Sequence, residues 1–322
     1  DETQKEILLR DTEVTLKPIV KVKELYDSIL NTAISKISPL QTKWEYTASK
    51  LFLLKMYSES YGIKDKKYPH LKEVIKKGVE SKVYDKTITD TFSDEELEEL
   101  NSYIRPEEDY TFTYNALVQF NSKYCKKYSK NKRLELPQIA YMRVAMGLAY
   151  NLENRIKLIK DMYDILTKGQ ATVATPIMLN SMTTLNQFSS CILNTIGNDS
   201  WDITNKLSTA GLYTKGRGGL AFDVTHIQSK GSYTSNGVSA SGIVPYIKNL
   251  ESVVNSFVQG ETRRGSAVIT CAWWHLDIED FLELKDASAG TPETRALHLK
   301  YSFGTNDYFM KKVINDEDIY LF

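Results

Sequence analysis

The sequence predicts an α/β protein with a helical N-terminal region and a C-terminal part in which strands and helices alternate. Two observations carry this. Up to about residue 170, apolar residues recur close to the helical spacing. After Gly169, short β-branched runs bounded by polar turns alternate with helical stretches. At 322 residues the chain is long enough for one large domain or two ordinary ones.

In the first region, "VKVKELYDSILNTAISKI" is apolar at Val22, Leu25, Ile29 and Ile34 with charges between, a helix. "TASKLFLLKMYSESYG" repeats the pattern and stops at Gly62. "SDEELEELNSYI" has Ser93 as an N-cap and acidic residues in its first turn, which complement the helix dipole. "NSKYCKKY" reads as helix, with Cys125 on it. "PQIAYMRVAMGLAYNL" starts at Pro137, a residue suited to a first helical turn. "RIKLIKDMYDILTKG" closes at Gly169. The twenty tyrosines are expected between helices with their hydroxyls at the rim.

In the second region, "ATVATPIML" and "NQFSSCILN" read as strands. "NDSWDITNKLSTAGLYTK" is a helix with Asp199 or Ser200 as N-cap and Ile203, Leu207 and Ala210 on one face. "GRGGLAFDV" is a glycine turn into a strand. "GIVPYIKNLESVVNSFVQG" is a helix with Ile243, Ile247, Leu250, Val254 and Phe257 along one side. "SAVITCAWW" is a strand, Asp277 starts the helix "DIEDFLELK", and the final "DEDIYLF" reads as one more strand.

Composition removes several classes of function. Lys+Arg and Asp+Glu number 41 each, so no net field draws the chain to nucleic acid or anionic lipid. No apolar run approaches the ~18 residues of a membrane span. The opening "DETQKEILLR" is not a signal peptide. Three cysteines, Cys125, Cys191 and Cys271, make no CxxC and no disulfide framework. The four histidines lack ligand spacing, so no metal bound by this chain is expected. Together these features suggest a reduced, cytoplasmic protein.

Two loops have the composition of anion sites. "KGRGG" places Lys215 and Arg217 among glycines, and "QGETRRG" places Arg263 and Arg264 likewise. Each is also readable as a helix cap with solvated cations. Cys191 is readable as core filler or as a reagent. It differs from Cys125 and Cys271 in following two serines and preceding the Asp199 cap.

Six stretches, "ATPIML", "QFSSCIL", "GNDSWDI", "GGLAFDVTHIQSKGS", "VQGETRRGSAV" and "WWHLDIEDFLELK", occur in this order. Together they resemble the large, catalytic subunit of class I ribonucleotide reductase. "TFTYNALVQFNSKY" upstream and "RALHLKYSFGTNDYFMKKV" downstream fit the same family, so the resemblance runs from about residue 20 to the end.

The resemblance implies a helical N-terminal region followed by the first half of a ten-stranded α/β barrel. Residues 1–60 would be a helical remnant of a truncated regulatory cone, 61–170 an N-terminal helical domain and 171–322 the half-barrel. It implies radical-based replacement of the ribose 2′-hydroxyl of ribonucleoside diphosphates by hydrogen, with two thiols becoming a disulfide. Cys191 matches one of those thiols. Thr175, Ser190 and Gly219 match positions lining the substrate site. Asp199, with Ser200 and Trp201, matches the ribose contact of a deoxynucleoside triphosphate effector, carried with Mg²⁺. Lys215 matches a phosphate ligand. Where relatives often have a further phosphate arginine, this chain has Gln228, with Lys230 two residues on. Gln259 and Arg263 match communicating positions of the specificity loop, beside Arg264.

The family's Asn-x-Cys-x-Glu loop, second reducing thiol and C-terminal cysteine pair are not among these residues. The resemblance therefore implies a complementary C-terminal large-subunit fragment, as in a naturally split subunit; a processed fragment would have the same need. The other partners implied are a small subunit holding a metal-radical cofactor, a second copy across the effector site, and thioredoxin or glutaredoxin acting indirectly. The family's regulatory hairpin is also unmatched, so on/off control by ATP and dATP at that site is not expected. An alternative from another class is a non-catalytic nucleotide-binding regulatory protein derived from this family.

Overall fold

The computed structural model describes residues 2–16, 19–61, 68–129, 132–185, 187–216, 218–233, 237–257, 265–288 and 291–322. It divides into two compact units, residues 1–188 and 189–322. No helix among the described residues is long and apolar enough to cross a membrane.

The first unit is helical. It comprises α1 (Glu2–Glu13), α2 (Val22–Ser35), α3 (Lys43–Tyr61), α4 (Leu71–Glu80), α5 (Thr87–Thr91), α6 (Asp94–Tyr103) and α7 (Tyr114–Lys123). Then come α8 (Pro137–Ala149), α9 (Arg155–Thr167) and α10 (Thr175–Asn180). A minimal hairpin, β1 (Lys127–Ser129) with β2 (Lys132–Arg133), precedes α8. Ser93 caps α6 in a reciprocal capping box with Glu96, as its sequence promised. Pro137 occupies the first turn of α8, where its missing N–H has no consequence.

Helix α8 is the centre of this unit, and every residue of it except Tyr141 and Leu148 is buried. Its two polar buried side chains must therefore find partners. Arg143 forks onto Glu135 and donates to the carbonyls of Ser181 (2.8 Å) and Met178 (3.0 Å). Glu135 also accepts from the Tyr84 hydroxyl (2.5 Å) and the Lys126 N–H (2.8 Å). Gln138 donates to Asp109 (3.0 Å) and accepts from the hydroxyls of Tyr163 and Thr167, both at 2.7 Å.

Asp109 also accepts from the hydroxyls of Tyr57 (2.9 Å) and Tyr68 (3.0 Å). Burial pushes its carboxyl up to about 7 even against these hydrogen bonds. The unfolded chain loses that proton near pH ~3.9. Between about pH 4 and 7 the folded state therefore holds a proton that the unfolded state has released, and stability falls as pH rises across that window, by up to ~4 kcal/mol. Asp109→Asn is expected to flatten this slope in urea-denaturation series. An unaltered slope would assign the titration to another group.

Several expectations for this unit are corrected. The run "ATVATPIML" is not a strand: its second half is α10. Pro176 suits a first helical turn, and the Met178 carbonyl is taken by buried Arg143, so packing overrides the β-branched composition. Cys125 lies just beyond α7 rather than on it. The hydroxyls of Tyr84 and Tyr163 are not at the rim but bonded inside the core, because Glu135 and Gln138 need donors there.

The second unit is a four-stranded parallel sheet in the order β3 (Cys191–Thr195), β4 (Gly219–Asp223), β5 (Ala267–Ala272) and β6 (Lys300–Gly304). Helices α11 (Ser200–Lys215), α12 (Val244–Ser256) and α13 (Ile278–Glu283) connect them, and α14 (Asp307–Ile314) follows. One core holds the unit together. Phe222, Ile269 and Leu220 from the sheet pack with Ile203, Ala210, Ile247, Leu250 and Val254 from the helices. Phe257 lies just past the end of α12.

Alternation along the strands gives the sheet a second face, with Cys191 and Leu193 beside Gly219 and Ala221 in register. This face is open in the unit, and Leu193 is 82% exposed. The expected strand in "DEDIYLF" does not form among the described residues. A strand needs a ladder partner, but the Asp316 and Glu317 N–H groups turn back to the carbonyls of Val313 and Lys312, and Phe322 N–H donates to the Trp274 carbonyl (2.8 Å), which makes no ladder.

Candidate functional site

Strand β3 begins at Cys191, opposite Gly219. The Gly219 N–H donates to the Ser190 carbonyl at 2.7 Å. A side chain at Gly219 would bring a Cβ to 3.3 Å from that carbonyl, so glycine allows the close approach. The Ser190 hydroxyl donates to the Cys191 thiol at 3.7 Å. Ser190, Cys191 and Gly219 thus form one cluster at the start of the two strands, with the thiol exposed. Thr175 opens α10 in the other unit, its hydroxyl 3.5 Å from that of Tyr124.

The other two thiols are packed. Cys271 is buried, donates to the Ala272 carbonyl, and burial beside Asp223 and Asp277 pushes it up to about 12. Burial likewise raises Cys125. Neither has the thiolate population that a redox thiol needs near neutral pH.

Beyond β3 the chain turns into α11 through interlocking hydrogen bonds. Asp199 is the N-cap: its Oδ1 accepts from the Asp202 N–H at 2.9 Å. Asp202 in turn accepts from the Gly197 N–H at 2.6 Å. Asp199, Ser200 and Trp201 are all exposed on this turn. Asn198 accepts from the Gln228 N–H at 2.9 Å and so brings the loop after β4 to the same place. Lys230 is exposed two residues on, with its backbone N–H held by Asp277.

Lys215 is the last residue of α11. At ~1.5 Å per residue, the 16 residues of that helix put it roughly 24 Å from the Asp199 end. One chain therefore does not bring Asp199 and Lys215 together. Arg217, Gln259, Arg263 and Arg264 lie outside the described residues.

Three residues of this region were passed over by sequence reasoning. Asn198 carries no signal beyond being a turn residue. His275 resembled a stray histidine, and Asp277 a simple helix cap. Its carboxylate makes no cap bond to α13.

Comparison with known proteins agrees with this division. A sequence model of the "Ribonucleotide reductase, all-alpha domain" matches residues 110–186, and one of the "Ribonucleotide reductase, barrel domain" matches residues 189–322. The ribonucleoside-diphosphate reductase subunit alpha of Helicobacter pylori is 32% identical over 95% of this chain and 38% of its own length. The reductase 1 subunit alpha of Escherichia coli is 30% identical over 94% of this chain and 40% of its own length. The alpha subunit of Enterobacteria phage T4 is 30% identical over 91% and 39%, respectively. The chain thus spans about two fifths of the length of these curated relatives. A helical unit and a parallel-sheet unit that match, in order, two domains of one enzyme family place this chain in the ribonucleotide reductase large-subunit family.

Proposed function

We propose that this chain is the N-terminal part of the large subunit of a ribonucleoside-diphosphate reductase. The observation that carries the reading is the exposed Cys191 thiol on the open sheet face, beside Ser190 and Gly219. Cys191 supplies one of the two thiols that reduce the ribose. The C2′–OH bond breaks and a C2′–H bond forms. The oxygen leaves as water, and two thiols become one disulfide. Ser190 and Gly219 line the nucleoside diphosphate site. The radical cysteine, the carboxylate base and the second thiol belong to the share of the relatives' length that these residues do not span. The chain alone does not turn over substrate. A small subunit with a metal-radical cofactor starts the reaction, and thioredoxin or glutaredoxin restores the thiols indirectly.

The same reading makes the Asp199 turn the ribose end of an effector site for a deoxynucleoside triphosphate with Mg²⁺. Asp199 Oδ1 caps the helix, and Oδ2 has no donor among the described residues, which leaves it to accept from a ribose hydroxyl. Lys215 serves the phosphates of a nucleotide held by the Asp199 turn of a second copy. Antiparallel pairing of α11 helices meets that requirement. It would also cover Trp201 and Leu212, 74% and 73% exposed on α11.

Calorimetric titration with each of the four deoxynucleoside triphosphates tests this. Asp199→Ala and Lys215→Ala are each expected to weaken binding about tenfold to a hundredfold, or ~1–3 kcal/mol for a lost charged contact. Nucleotide should also shift the chain toward dimers in sedimentation. Unchanged affinity in both variants would move the site elsewhere.

A further inference from the structure

The loop after β4 carries Gln228 and Lys230, and the Gln228 N–H bond to Asn198 ties it to the Asp199 turn of the effector reading. The loop is an excursion whose sides meet again: Tyr233 bridges Ser239, Gly231 N–H donates to the Ala240 carbonyl (3.0 Å), and Ala240 N–H donates to the Ser232 carbonyl (2.7 Å). Its base is gripped from outside, by the turn between β5 and α13. Asp277 is buried, and its two oxygens accept from the Lys230 N–H (2.9 and 3.1 Å) and the Ile243 N–H (3.1 Å). These two residues stand on either side of the excursion. Gly242 lies against the same carboxylate: with φ at +86° for Gly231 and +81° for Gly242, both ends turn through left-handed backbone. A Cβ at Gly242 would come within 2.6 Å of Asp277 Oδ2.

His275, also buried, completes the grip. Its Nδ1 accepts from the Asp277 N–H (3.0 Å), so the ring proton sits on Nε2, which donates to the Ile227 carbonyl at 2.9 Å. One neutral tautomer satisfies both bonds. Asp277 meanwhile forgoes the cap of its own helix.

We infer that His275 and Asp277 are positioning residues for the effector site: a clamp that fixes the Gln228–Lys230 loop against the Asp199 turn and so sets how tightly a deoxynucleoside triphosphate is bound. The inference rests on the effector reading above. It gives the "WWHLD" stretch a role that neither the thiol cluster nor the Asp199 turn supplies.

The test uses the 322-residue chain, with dTTP, dATP, dGTP and dCTP plus Mg²⁺ as probes. His275→Leu and Asp277→Asn are expected to weaken nucleotide binding about tenfold, measured well below each variant's Tm. His275→Gln, which keeps a donor toward the Ile227 carbonyl, is expected to recover most of that loss. Amide hydrogen exchange at Lys230 and Ile243 should rise in His275→Leu and Asp277→Asn while the β4 and β5 amides stay protected. Wild-type affinity in folded His275→Leu and Asp277→Asn would overturn the positioning role, as would unchanged exchange at both amides. A wild-type chain that takes up none of the four nucleotides would instead overturn the effector reading. Should Asp277→Asn not fold, the Leu and Gln variants at His275 decide the matter alone.

Discussion

Cys191→Ser is expected to lower turnover by at least about a hundredfold, some ~2.7 kcal/mol of barrier, in an assembly that holds the rest of the large subunit and the small subunit. The proposed reaction consumes two thiols, and a hydroxyl cannot replace one of them in a disulfide. The variant should fold normally, because Cys191 is exposed and such surface exchanges fall within about ±0.5 kcal/mol. The partner thiol must lie within disulfide reach, with Cα atoms roughly 4.4–6.8 Å apart. A single turnover without external reductant, followed by a non-reducing gel or peptide mapping, should show a disulfide at Cys191. If the remaining sequence sits on another polypeptide, that bond joins two chains. Cys271→Ser and Cys125→Ser should leave it intact, since both thiols are buried with their protons held. Normal product formation in Cys191→Ser would remove this residue from the chemistry.

Arg143→Met should cost ~3–5 kcal/mol of stability, because it leaves Glu135 charged and buried without its cation. It also strips donors from the carbonyls of Met178 and Ser181. Against a typical total of ~5–15 kcal/mol, that is a large fraction. The double variant Glu135→Gln with Arg143→Met leaves no bare charge and should recover part of the loss. Urea denaturation of the two single variants and the double variant completes the cycle. A cost for Arg143→Met below ~1 kcal/mol, or additive behaviour of the two sites, would show that the pair does not hold this unit together.

These two sites differ in how far the sequence announced them. Cys191 stood out because two serines precede it and a helix cap follows it. The surrounding motifs then named its family. The cap at Ser93 and the helix spanning Ser200–Lys215 were equally open to reading, since a cap and its first turn lie within four residues of chain. Arg143 offered no comparable sign. It sits in an apolar helix, and its partners are 8, 35 and 38 residues away. Asp277 misled for the same reason: its position is that of a helix cap, but its bonds go 47 and 34 residues back along the chain.

The residues alone were enough to establish the division into a helical part and an alternating part, three of the four strands of the sheet (β3, β4 and β5, but not β6), and the family. Each depends on periodicity, capping or ordered motifs, all local chemistry that survives in a linear string. Folding decided whether Thr175–Asn180 became helix or strand, which tyrosine hydroxyls went inside, and which loop Asp277 would hold. Such outcomes turn on competition for buried hydrogen-bond partners, and those partners meet only once the chain has closed on itself.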